Sequence, residues 1–249
     1  MIDVSLQDTA AVIKLNRAVT NALSLELIQE LAAVLETLGS DPAVQALVLG
    51  SANDKFFSIG LDLTELFGLS RDDFESFYRT FNQTCMQLYA LPKPTVAAIS
   101  GHAVAGGCIL ALCCDYRFIA AGRRLMGLNE SKLGVPVPYL ADCVLHSLVG
   151  SRKAREVVEL GEFYDPEESL AMGMVDQVVA LEDVLPLSLE RARQLGTIPA
   201  QAYAIIKRNR IAGTEERIRA RWEEKQRQFI ECWYAPEARQ RLQEALKNF

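Results

Sequence analysis

Thr95-Val96-Ala97-Ala98-Ile99-Ser100-Gly101-His102-Ala103-Val104-Ala105-Gly106-Gly107-Cys108-Ile109-Leu110-Ala111-Leu112-Cys113-Cys114 contains no charged residue. Its length approaches that of a membrane span. Ser100, Gly101, His102 and the pair Gly106-Gly107 interrupt its middle, and that break suits a strand, a turn and a buried helix instead. Residues Thr95 to Ile99 are small or β-branched, as expected of a strand packed closely on both faces. Ile109 to Cys114 reads as the buried helix that follows, and Tyr116 to Ala120 as the next strand.

The same alternation extends on either side. Ile2 to Leu6 and Ala11 to Leu15 are short β-like runs separated by Gln7-Asp8-Thr9, the pattern of a hairpin. Ser24 suits the N-cap of a helix with Leu27, Leu31, Val34 and Leu38 at helical spacing, ending at Gly39. Val44 to Leu49 is a buried strand. Ser70 caps a second helix reaching about Tyr89, with Phe74, Phe77, Phe81 and Leu88 on its apolar side. Strands alternating with helices place the chain in the α/β class. Beyond Gly134 the character turns helical. Asp165-Pro166-Glu167-Glu168 carries the cap, proline and glutamate of a helix start, and Met174 to Val179 reads as a last strand. Helices are predicted over Pro199 to Arg210 and over Glu215 to Leu246, the second interrupted at Pro236.

At 249 residues, 50% of them hydrophobic, the chain can bury a large core without disulfides. A net charge of −6 argues against general nucleic-acid binding, because phosphate contacts dominate that affinity. Only two histidines, His102 and His146, are available for a histidine-based metal site or a Ser-His-Asp triad. None of the six cysteines forms a C-x-x-C pair, and buried reduced thiols are expected. Met1-Ile2-Asp3-Val4 is not the start of a secretory signal, and Lys247-Asn248-Phe249 is not a peroxisomal tripeptide, so the expected location is the cytoplasm.

Three segments carry candidate chemistry. Gly101 to Cys108 matches the first half of a phosphate-binding P-loop, but Gly107 and Cys108 stand where the lysine and the hydroxyl are needed. What remains is a turn and a double glycine opening a helix, whose first N–H groups have no internal partner and can hold an oxyanion. The alternative is that the glycines only permit close packing. Phe57-Ser58-Ile59-Gly60-Leu61-Asp62-Leu63 forms a second glycine turn; two converging backbone donors would make an oxyanion hole, whereas a plain turn with Asp62 as cap is the other reading. The third segment, Met126-Gly127-Leu128-Asn129-Glu130-Ser131-Lys132-Leu133-Gly134, sets Glu130 among apolar neighbours. Burial would raise its pKa and suit it to exchange a proton with carbon; a cap, or a pair with Lys132, is the alternative.

Together these segments resemble the crotonase, or enoyl-CoA hydratase/isomerase, superfamily. Leu15-Asn16-Arg17 with Asn21-Ala22-Leu23-Ser24, Phe57 to Leu63, Pro92 to Asp115, Leu128 to Gly134 and Gly173-Met174-Val175-Asp176 occur in the family's order. The resemblance implies a crotonase-like spiral of ββα units over residues 1–190 and a C-terminal helical trimerisation region over 191–249. It implies an acyl-CoA thioester substrate and a homotrimer or a dimer of trimers, with no membrane or nucleic-acid partner. It implies no metal and no separate cofactor, coenzyme A being part of the substrate. The thioester oxygen would be held by the N–H groups of Leu61 and Gly106. Ala22, Ile59, Gly60, Asp62 and Leu63 would line the coenzyme A groove.

In the two-glutamate hydratases of the family a glutamate follows the position of Cys108; here Ile109 stands there, and only Glu130 remains. Leu128-Asn129-Glu130 followed by Lys132-Leu133-Gly134-Val135 looks like the mitochondrial-type Δ3,Δ2-enoyl-CoA isomerases. The resemblance therefore favours a 3-enoyl to 2-enoyl shift, with Glu130 as acid and base and Asn129 positioning Glu130 or touching the thioester. The rivals are a hydratase or another thioester enzyme of the superfamily, and a non-catalytic acyl-CoA- or RNA-binding oligomer. His102 is read as orienting backbone or packing. Lys55, Arg17 and Lys207 are read either as contacts to coenzyme A phosphates or as solvated charge. Phe67, Phe74, Phe77 and Phe81 are read as acyl tunnel or core.

Overall fold

A computed structural model describes residues 1–247; Asn248 and Phe249, at the end of the expected helical region, lie outside the described residues. The chain begins with the expected hairpin, β1 (Ile2–Gln7) and β2 (Ala10–Leu15), followed by α1 (Leu25–Ser40) capped by the Ser24 side chain. Three further turns of the spiral repeat one plan. Each lays a strand in a large sheet, then a short strand in a small sheet, then helical structure. The first turn is β3 (Ala46–Ser51), β4 (Phe56–Ser58), α2 (Leu63–Leu66) and α3 (Arg71–Ala90). The second is β5 (Thr95–Ile99), β6 (His102–Val104) and α4 (Gly106–Leu112). The third is β7 (Tyr116–Ala120), β8 (Met126–Gly127), a 3₁₀ turn at Glu130–Leu133 and α5 (Tyr139–Leu160). Then come β9 (Phe163–Tyr164), α6 (Pro166–Met172), β10 (Gln177–Val179), α7 (Val184–Gly196), α8 (Ala200–Ala220), α9 (Trp222–Trp233) and α10 (Pro236–Leu246).

The large sheet runs β1-β2-β3-β5-β7-β10 and is parallel except for the hairpin. Its central strands alternate between two apolar layers, as the two-residue period of a strand dictates. Ile13, Leu47, Leu49, Ala97 and Ile99 face the main core, while Val12, Ala46, Val48, Val96 and Ala98 pack with Val184, Leu189 and Ala192 of α7. The uncharged Thr95–Cys114 stretch is thus a buried strand, a short strand and a buried helix. Among the described residues no helix is long and apolar enough to cross a membrane.

Several boundaries differ from the predicted ones. The last strand covers only Gln177–Val179, because Gly173 ends α6 in a left-handed conformation and Met174 and Val175 are buried between the two elements. α8 runs straight through Gly213 and Thr214, and the break comes at Arg221. A helical glycine costs about 1 kcal/mol relative to alanine, too little to end a helix held by Ile211 and Ile218 in the core. Residue 190, the expected edge of the spiral core, falls inside α7. The helices after it share the main core through Phe229, Ile230, Trp233 and Leu242.

Lys207 is neither a surface charge nor free to meet a phosphate. It is 2% exposed and donates to Asp115 at 2.8 Å. Asp115 also accepts from the Thr95 N–H and hydroxyl at 2.9 and 3.0 Å, from the Tyr203 hydroxyl at 3.1 Å, and from Arg210. Burial works to raise the Asp115 pKa, but the Lys207 and Arg210 charges outweigh it and hold the carboxyl below its usual range. The cluster clamps α8 to the ends of β5 and β7. Lys207→Met is expected to destabilise the protein by about 3 kcal/mol in urea unfolding, since it strips the buried partner from a buried carboxylate. Arg210→Met, at a half-exposed position, should cost about 1 kcal/mol or less in the same measurement.

Candidate active site

The three short parallel strands of the small sheet end side by side. Ser58 of β4 is in register with Ala103 of β6, and Val104 of β6 with Gly127 of β8. The residues just past these ends are Ile59 to Leu61, Ala105 and Gly106, and Leu128 to Glu130. The fold therefore delivers all three candidate segments to one place, although none of these strands exceeds three residues.

The first two segments meet backbone against backbone. A Cβ added at Gly107 would lie 2.3 Å from the carbonyl oxygen of Ser58, and one at Gly60 would lie 2.7 Å from the amide nitrogen of Gly106. Gly60 also has a φ of +90°, which L side chains rarely adopt. Ala105 has a φ of 48° and a ψ of −123°, a strained conformation for a residue with a side chain, directly before Gly106. The N–H groups of Leu61 and Gly106 have no acceptor among the described residues. A Cβ at Gly106 would sit 3.4 Å from the Leu61 nitrogen, so the two donors are neighbours. The glycines thus permit close packing and, by the same contact, bring two free donors together.

A second layer fixes the first turn. The Leu23 N–H donates to the Gly60 carbonyl at 2.8 Å and the Asp62 N–H donates to the Leu23 carbonyl at 3.1 Å, pinning residues 60–62 on both sides of Leu61. Asn21, itself at a φ of 47°, donates from Nδ2 to the Phe57 carbonyl at 3.1 Å, and the Ser58 hydroxyl donates to the Asn21 carbonyl at 2.7 Å. Arg17 donates to the Ala22 carbonyl at 2.9 Å and pairs with Asp62 at 2.7 Å. Asp62 in turn caps α2 through the Thr64 and Glu65 N–H groups. Burial opposes ionisation of Asp62, but the bonds from Thr64 and Arg17 prevail and lower its pKa. Arg17 is thereby committed to holding this loop.

Glu130 opens the 3₁₀ turn after β8 and is 6% exposed, its Oε2 without a partner among the described residues. Burial pushes its pKa up to about 7, weakly opposed by its own N–H. Lys132, the alternative partner for Glu130, pairs with Glu162 at 2.7 Å instead. Tyr78 and Cys108 lie close enough for the Glu130 charge to add to the burial that raises their own pKa values.

These groups border one cavity of about 230 Å³, lined by Ile59, Leu61, Leu63, Gly106, Ile109, Asn129 and Glu130. Among the described residues Glu130 is the only carboxylate that lines it, and Ile109 lines it as well. Gly60 lies behind Leu61, while Ala22 and Asp62 stand beside the loop and do not line the cavity. Of the four phenylalanines only Phe81 lines it; Phe74 and Phe77 are core, and Phe67 lies under the Arg239 guanidinium. His102 faces elsewhere: its Nδ1 accepts from the Leu125 N–H at 3.1 Å, and burial with the Arg124, Arg123 and Lys55 charges lowers its pKa. Phe229, Trp233 and Phe163, which sequence reasoning did not assign to the site, also line it. Among the described residues no group of three or more His, Cys, Asp or Glu side chains is arranged to hold a metal ion.

A family model described as enoyl-CoA hydratase/isomerase matches residues 5–249. The mitochondrial enoyl-CoA delta isomerase 1 of Homo sapiens is 36% identical over 209 residues, covering 84% of this chain and 69% of that protein. A "probable enoyl-CoA hydratase" of Mycolicibacterium paratuberculosis is 34% identical over 225 residues, covering 90% and 87%. The crystal structure of human mitochondrial delta3-delta2-enoyl-CoA isomerase superposes with a TM-score of 0.95 at 32% identity, covering 99% of this chain and 97% of that one. The chain belongs to the enoyl-CoA hydratase/isomerase, or crotonase, family.

Proposed function

We propose that the protein is an acyl-CoA isomerase that moves the double bond of a 3-enoyl thioester to the 2-position. The observation that carries this reading is that a buried carboxylate, Glu130, the only one lining the cavity among the described residues, shares it with two backbone donors that have no acceptor there. Glu130 in its ionised form takes a proton from C2. The electrons of that C–H bond form a dienolate whose negative charge sits on the thioester oxygen, where the Leu61 and Gly106 N–H groups stabilise it. The protonated Glu130 returns the proton to C4, the C3–C4 double bond becomes C2–C3, and the carboxylate is regenerated. A pKa near 7 lets one group serve both as base and as acid at neutral pH. Asn129, beside Glu130 on the cavity wall, is assigned to the thioester or to holding Glu130. The protein is further proposed to act in the cytoplasm as a trimer or a dimer of trimers.

A second reading, hydration of a 2-enoyl thioester, is kept by the relative described as a hydratase. It requires water to be held and activated while carbon is protonated, and Ile109 offers no acid or base for that. Incubation of the purified protein with 3-enoyl-CoA and, separately, 2-enoyl-CoA decides between them. The expected outcome is conjugated 2-enoyl-CoA from the first and little change in the second; a 3-hydroxyacyl product as the main turnover would overturn the isomerase assignment.

Glu130→Gln is expected to lower kcat by about 10²-fold or more while leaving acyl-CoA affinity within a few-fold. In the native enzyme kcat/KM should rise with pH through about 7 and then level, as the base form is populated. Gly106→Pro removes one donor, and its ring would also press on Leu23 and on the Gly60 backbone, so the two turns must part. It should lower kcat by at least about 10²–10³-fold.

The same carboxyl sets a stability trend. Its folded pKa lies above the unfolded value, so between about 4.5 and 7 the folded state holds a proton that the unfolded chain has lost. Raising the pH across that window therefore removes stability that the neutral Glu130→Gln variant keeps. Urea unfolding should show the variant gaining about 3 kcal/mol on the native protein between pH 4.5 and 7.5.

A further inference from the structure

The cavity has a soft side and a hard side. Leu61, Ala105, Asn129 and Leu133 are half-buried, and Phe163 is 38% exposed, so the opening lies among them. Phe81 and Trp233 are 1% exposed and Phe229 is 3%, so these three rings form a wall with no solvent behind it. That wall is braced from behind. Trp233 stacks on Phe74 with centroids 4.1 Å apart and planes 16° apart, and Phe229 stacks on Tyr78 at 4.1 Å and 11°. Rings held by a second layer of rings cannot swing aside without breaking both contacts.

From this geometry we infer that Trp233, Phe229 and Phe81 set an upper limit on acyl-chain length. The inference rests on the cavity being the acyl-thioester site. The rings line the cavity that Glu130 and the two donors border, so a linear chain lengthening from the thioester meets them. Chains that stop short of the rings are therefore preferred over longer ones. Each methylene added below the limit buries apolar surface and tightens binding by about fourfold. Methylenes beyond the wall have nowhere to go, and affinity stops rising.

The test is calorimetric binding of saturated, linear acyl-CoA thioesters of six, eight, ten, twelve and sixteen carbons, which needs no turnover. The native protein should tighten about fourfold per methylene up to a break within the series. Phe81→Leu and Trp233→Leu, on α3 and α9, should each move the break outward by about two carbons. Circular dichroism identifies a variant that has lost its fold, and the other then decides. Affinity that keeps rising to sixteen carbons, or a break that neither folded variant moves, overturns the limit. Failure of every acyl-CoA to bind would instead overturn the reading of the site itself. Binding with an intact break but no isomerisation of 3-enoyl thioesters would leave the limit standing and remove the assigned reaction.

Discussion

The site depends on a contact that side chains would forbid. The turn after β4 and the turn after β6 touch through backbone atoms, with Gly60 against the Gly106 amide and Gly107 against the Ser58 carbonyl. A Cβ at either place would fall well inside contact distance, and the turns would have to separate. Separation would move the Leu61 and Gly106 donors apart, and a hole that stabilises one oxygen needs both within hydrogen-bonding reach of it. The network around this contact reads as bracing. Leu23 holds the chain on both sides of Leu61, Asn21 and Ser58 hold the strand before it, and Arg17 with Asp62 ties the following helix to the loop. Ala105 holds its strained conformation between two bonds, its N–H donating to the Gly127 carbonyl and its carbonyl accepting from the Ile109 N–H.

Glu130 poses the opposite problem. Its carboxyl is buried with one oxygen unpaired, which costs stability whenever the group is charged. A structural carboxylate would be met as Asp115 is, by an ammonium, a guanidinium and several hydrogen bonds. The two acids are buried to similar degrees and are shifted in opposite directions, one by partners and the other by their absence. An apolar setting that leaves a carboxyl unsatisfied is a recognised route to an acid or base working near neutral pH.

Much of this was legible in the sequence, and the exceptions have physical causes. The central strands and the helices of the spiral show in the apolar runs and caps because each buries a complete face. Glu130, the two glycine turns and Ile109 could be singled out because residue type alone restricts what each can do. The strands β4, β6 and β8 left no period to detect, being two or three residues long, yet they align the site. Lys207 illustrates a different failure. A lysine in a charged helix reads as solvated, and only the fold brings Asp115, ninety-two positions earlier, against it. Phe229 and Trp233 were visible as apolar positions of a charged helix, but their meeting with the cavity depends on how α8 passes Gly213 and where it breaks.

That last point assigns the C-terminal helices more than a packing role. The spiral supplies the donors, the carboxylate and one apolar wall from Ile59, Leu63 and Ile109. Without α9 the cavity would lose part of its wall, since Phe229 and Trp233 lie on that helix. Water would then reach Glu130 from that side, its charged form would be solvated, and its pKa would fall toward that of an ordinary glutamate. The helix that closes the far wall therefore also maintains the proton affinity of the acid, because exclusion of water and the raised pKa are one effect. Closure and acidity cannot be tuned separately here. A variant that opens the wall far enough to admit solvent should weaken the base along with the length limit, whereas one that only enlarges a dry chamber should change the limit alone.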